Sequence, residues 1–237
     1  PVTGLGAGDV DLPYFEAFYR EQFGEALSDQ LLPLPQLLRN MNLTTGEFLN
    51  VAGALLFAKA PQFRLPAFIV KAVAFPVNEI EVERYIDSRD ITGKLADVFQ
   101  QTLGFVLANT GTAQGDRSIN STGTSEVPRV VWEELLANAL IHRDYFITAP
   151  VRVLVFTNRV EIISPGHLPN NLTVANIRAG NSNIRNPILA SFATKLLPYR
   201  GLGSGVLRAL REYPSITFAD DRDGNLFKVT VPRETRA

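Results

Sequence analysis

The chain has 237 residues, 46% of them hydrophobic and 20% charged, and a net charge of −1 at neutral pH. That length supports one large or two small domains with a sizeable core, and the near-neutral balance argues against a strongly basic nucleic-acid surface. The lack of cysteine excludes disulfides, iron–sulfur clusters and thiol catalysis; with two histidines, His142 and His167, a three-histidine metal site within one chain is excluded as well.

Residues 1–11 are Gly-rich and polar and read as a loose leader. Helices are predicted over 12–27, with Phe15, Phe18, Tyr19 and Phe23 on one face, over 34–41, and over 50–59, which is apolar nearly all round. Residues 67–75 read as a strand and 91–108 as a long amphipathic helix. Residues 109–126 are nearly all small or polar and read as a linker or functional loop. A domain boundary is therefore placed near residue 112, separating a mixed helix–strand domain (1–112) from a second domain (113–237). The second half opens with a helix over 127–143, with Pro128 in its first turn. A strand pair (151–157 and 160–164), short helices near 173–178 and 186–196, a helix after Gly201–Gly205 and a terminal hairpin (216–219 and 226–231) follow. This order predicts an α/β two-layer sandwich.

No apolar run approaches the roughly 20 residues needed to cross a bilayer, and no basic-then-apolar signal opens the sequence. A cytoplasmic protein without a membrane partner is expected. The first residue is Pro1, so the sequence reads as a piece of a longer chain.

The informative helix is 127–145. Glu134, Asn138 and His142 fall at i, i+4 and i+8, one longitudinal stripe flanked by apolar residues. Such a stripe either forms a buried polar network or faces a ligand cavity. A carboxylate beside an amide oxygen suits magnesium, or the activation of a water. The tetrapeptide His142-Arg143-Asp144-Tyr145 lacks the rest of a kinase signature and reads as a helix end, its cations facing the terminal dipole. Alternating Gly201, Gly203 and Gly205 before a helix bring backbone N–H groups close to an anion, with Arg200 and Arg208 near; a flexible loop capped by Ser204 explains them equally well. No lysine follows these glycines, which excludes a P-loop motor there.

In order, EELLANALIHRDY, a strand pair, EIISPGHLP, IRNPILA and RGLGSGVLR resemble the C-terminal domain of RecG-like transcriptional regulators, a family that often carries an upstream Schlafen/AlbA-like DNA-binding domain. The segment LTTGEFLNVAGALLFAKAPQFRLPAF resembles the region joining the two domains, and the resemblance covers about residues 30–230. It implies a GHKL (Bergerat-like) ATPase sandwich, similar to that of gyrase and histidine kinases, preceded by a smaller domain. It further implies ATP and magnesium as cofactors, with Glu134 as the water-activating carboxylate and Asn138 as the magnesium-binding amide. Ser164 and Gly166 would lie on the adenine side, and Gly201, Gly203 and Gly205 would cover the phosphates; His142, taken from the stripe of the helix, is expected in the same cofactor site. Where nucleotide-binding GHKL proteins place an adenine-binding aspartate, this sequence has Ser164. A neutral hydroxyl makes a weaker hydrogen bond than a carboxylate. Two functions are therefore carried forward: a Mg-ATP module signalling to a DNA-binding domain outside this chain, or a nucleotide-free sensor or dimerisation scaffold, with a homodimer as a further expected partner.

Overall fold

The computed structural model describes residues 3–80, 83–113, 124–201 and 203–233. Helix α1 (Leu12–Phe23) comes first; helices α2 (Leu34–Asn40) and α3 (Val51–Phe57) flank the short hairpin of β1 (Thr44–Thr45) and β2 (Phe48–Leu49). Asp11 starts α1 by accepting a hydrogen bond from the Tyr14 amide, and Asn50 starts α3 by accepting from Gly53. The first residues are not loose from Thr3 onward. The Thr3 hydroxyl donates to Leu49 O at 2.6 Å, Leu49 N donates to Leu5 O, and Leu5 and Val10 are buried in the main core. Their apolar side chains, not the glycines between them, decide the outcome.

Strands β3 (Val70–Ala74) and β4 (Asp87–Ile91) precede the long helix α4 (Leu95–Thr110). Strand β4 carries no sequence signature, because its residues Asp-Ser-Arg-Asp-Ile are mostly polar and exposed, as an edge strand tolerates. Ile91 pairs with Val70 in that strand, which delays the helix expected from residue 91 to Leu95. Residues 114–123, the middle of the expected linker, lie outside the described residues; their flanks pair as β5 (Thr112–Ala113) and β6 (Thr124–Ser125).

Next come α5 (Arg129–Ile141), β7 (Val151–Val155), β8 (Arg159–Pro165), α6 (Val174–Arg178), α7 (Pro187–Leu196), α8 (Gly205–Glu212), β9 (Thr217–Asp221) and β10 (Leu226–Pro232). Six strands form one mixed sheet in the order β4-β3-β7-β8-β10-β9; β3 and β7 run parallel and the other neighbours antiparallel. The sheet is continuous across residue 112: β3 and β4 come from before it and the remaining four strands from after it.

Period-2 alternation sends Val151, Val153, Val155, Val160 and Ile162 towards the helices, into the main core with α4 and α5. Leu154, Phe156 and Ile163 point to the other face and pack with Phe75 in a smaller cluster. The result is an α/β sandwich with a smaller N-terminal unit docked beside it. Phe18 and Phe57 of that unit contact Phe192 of α7, with ring centroids 5.7 and 5.8 Å away.

Candidate functional site

Helix α5 is apolar around most of its circumference because the sheet and neighbouring helices cover it: Val131, Trp132, Leu135, Leu136, Ala137, Leu140 and Ile141 are all buried. Its polar stripe emerges on the side facing α8. The Glu134 carboxylate, with its side chain 3% exposed, is held by the guanidinium of Arg208. Burial pushes the Glu134 carboxyl above its ordinary range, and the charge and hydrogen bond of Arg208 pull it only partly back. The Asn138 amide donates to Glu134 O at 2.7 Å, within the same helix. His142 Nε2 lies 3.0 Å from the Tyr199 hydroxyl. Burial, together with the charge of Arg185, lowers the His142 pKa to about 4, so the ring is neutral at pH 7.

The second group of residues sits where β8 ends. Ser164 is 6% exposed and its hydroxyl donates to Ala139 O at 3.0 Å. Gly166 adopts φ +96°, and a side chain there would meet the Arg185 guanidinium and approach Asp144 Cβ to 2.6 Å. Packing by Asp144 and Arg185 therefore demands this glycine, whatever the site binds. Arg185 itself donates to His167 O at 2.7 Å and lies 4.0 Å from the Asp144 carboxylate.

The third group is the loop before α8. Gly203 has φ +69°, and a Cβ there would come within 2.7 Å of Ser182 Oγ. A Cβ on Gly205 would meet the Glu134 carboxylate and come 3.1 Å from Asn138 Nδ2. The loop thus closes onto the polar stripe. Ser204, expected as a cap, makes no side-chain capping bond.

These groups converge. Glu134, Asn138, His142, Ser164, Gly166, Gly201, Gly203 and Gly205 all line one cavity of about 110 Å³. Ile162, Phe218, Phe227 and Val229 give it an apolar wall, and Arg200 stands at its edge. Sequence reasoning missed Tyr199 and the Asn181–Asn183 segment, which also line it. Neither carries a motif; only the folding of α6–α8 over the sheet brings them in. Arg143, expected to face the helix dipole, is instead buried between the Phe68 and Tyr145 rings, 4.6 and 4.8 Å from their centroids. Its guanidinium donates to Ile147 O and Ala149 O, which fixes the chain between α5 and β7.

The donor set can be tested against the groups the fold implies. A nucleotide base suits the apolar wall. Ser164 has already spent its proton on Ala139 O, so it offers only lone pairs to a ligand and would accept from an exocyclic amine. Small-molecule sites span roughly 300–1,000 Å³, so the cavity of about 110 Å³ admits a nucleotide only if the 201–205 loop swings outward. Magnesium fits poorly. It demands near-octahedral oxygen ligands, commonly one or two carboxylates together with substrate phosphates. Here the carboxylate is covered by Arg208 and Gly205. Among the described residues no group of three or more His, Asp or Glu is placed to hold a metal.

Residues 148–230 match the family described as "Putative ATP-dependent DNA helicase recG C-terminal". The match takes in Ser164, Gly166 and the 201–205 loop and begins after the α5 stripe. The whole fold is similar to the DIP2311 protein from Corynebacterium diphtheriae, with a TM-score of 0.70 and 23% identity over 98% of this chain. This chain spans 46% of that protein's length. No curated protein matches the sequence. The second half is thus RecG-like and ATPase-like in fold, and among the described residues no helix is long and apolar enough to cross a membrane.

Proposed function

We propose that this chain is a nucleotide-binding module of a RecG-like, GHKL-type regulator. The base would lie against Ile162, Phe218, Phe227 and Val229, its amino group donating to Ser164. The phosphates would lie towards Gly201–Gly205 and Arg200. The observation that carries this reading is the convergence of residues from α5, β8 and the α8 loop on one cavity. The match of residues 148–230 to an ATPase-like family supports it. Ligand binding would reorder the loop, and the new loop position would be read by a DNA-binding domain of the full-length cytoplasmic protein, a homodimer in this reading. Hydrolysis is not part of the proposal, since Glu134 is bound to Arg208 and not free to activate a water.

A second reading is favoured by the smallness of the cavity: the site stays closed and the module serves as a scaffold or dimerisation unit. Thermal melts in millimolar ATP distinguish the two. A ligand at 100 times its Kd adds about 2.7 kcal/mol of stability. The nucleotide reading expects an ATP-dependent rise in Tm that Ser164→Val diminishes. An unchanged Tm supports the scaffold.

A further inference from the structure

Among the described residues, Arg208 is bonded directly to the carboxylate on the polar stripe of α5. We propose that Arg208 is a built-in counter-cation for Glu134, taking the place of a divalent metal, so that this site binds its anionic ligand without magnesium. The inference rests on the nucleotide reading above and changes what that reading requires.

The geometry supports it at each atom of the pair. The Arg208 guanidinium bonds Glu134 Oε1, and Gly205 closes against Oε2, so neither carboxylate oxygen faces open solvent. Asn138, the other expected metal ligand, is turned so that its amide nitrogen donates to Glu134 O and lies beside Gly205. Glu133, the adjacent carboxylate, is engaged by Arg129. A hydrated magnesium ion would have to displace a fixed cation from a buried carboxylate, and magnesium gives up its own waters reluctantly.

Arginine suits the substituted role. It stays charged at any working pH, is weakly hydrated, and presents several donors in a rigid fork. Arg208 uses one arm on Glu134, while its Nε is buried with no hydrogen-bond partner and its side chain is 30% exposed. Arg200 lines the same cavity. Two guanidiniums and one carboxylate leave a net positive charge at the phosphate end before any metal arrives. An anionic group entering there meets donors already in place.

Isothermal titration of the purified chain with ATP, in EDTA and again in excess magnesium chloride, tests the proposal. Wild type is expected to bind in both buffers, with affinities differing by less than about tenfold. An affinity about tenfold or more greater in magnesium overturns the proposal. Arg208→Gln, checked for folding by circular dichroism, is expected to lose binding in EDTA. Glu134→Gln, which frees the guanidinium, is expected to tighten it. Equal binding in EDTA by Arg208→Gln and wild type also overturns the proposal. Absence of binding by wild type in both buffers is a different failure: it removes the nucleotide reading and this inference with it.

Discussion

At the scale of single residues, burial and the nearest partner together decide which groups carry charge. His142 and Glu134 lie on one stripe of α5, and loss of water shifts the pKa of each towards its neutral form; for Glu134 the charge and hydrogen bond of Arg208 oppose that shift and keep the carboxylate paired. For His142 the sign is definite. Its folded-state pKa of about 4 lies below the ordinary 6.5, so the unfolded chain binds the proton more readily. The stability held by the neutral ring is present above pH 6.5 and is lost as pH falls towards 4. At pH 5 the loss is about 2 kcal/mol relative to pH 7.5. Urea unfolding of wild type and His142→Gln at both pH values checks this, since other titrating groups cancel in the difference. The variant should gain about 2 kcal/mol on wild type when pH drops from 7.5 to 5. A gap that stays constant would mean the ring is solvated. The stripe itself was legible in the sequence, because i, i+4, i+8 spacing survives folding. The partner of Glu134 was not: Arg208 is 74 positions away, and only tertiary packing brings the two together.

At the scale of elements, the loop before α8 is shaped by what lies beneath it. Gly203 rests on Ser182 and Gly205 on Glu134 and Asn138. These glycines were read from the sequence as phosphate-covering or merely flexible; the structure adds that they permit close approach to the protein's own polar stripe. Gly205→Ala therefore inserts a methyl group where no space exists. Overpacking costs about 1–3 kcal/mol, against at most about 1 kcal/mol gained by replacing glycine in a helix. A lower Tm and a smaller ATP-dependent shift are expected in paired melts. A Tm equal to wild type would show that the loop stands away from α5. The elements with strong periodicity, α1, α4, α5 and the β7–β8 pair, were visible from pattern alone. Strand β4 was not, because a polar edge strand carries neither alternation nor an apolar run.

At the scale of the whole molecule, the sheet ties the two halves of the chain together. Strand β3 pairs in parallel with β7 across the low-complexity segment, a partnership that local sequence cannot announce. Arg233 reinforces it at the sheet's end, donating to Thr110 O and Phe156 O and pairing with Glu126. Phe192 of α7 holds the N-terminal unit through ring contacts with Phe18 and Phe57. The cavity thus sits between a floor formed by α5 and the sheet and a roof of short helices and glycine loops. Such a division suits a ligand-dependent movement of the roof. Whether this cavity takes a nucleotide is settled by photoaffinity labelling with 8-azido-ATP followed by peptide mass spectrometry. Label, competed by ATP, is expected on peptides spanning residues 134–142 and 162–168. Label that ATP does not compete, or that falls outside the cavity wall, would contradict the nucleotide reading.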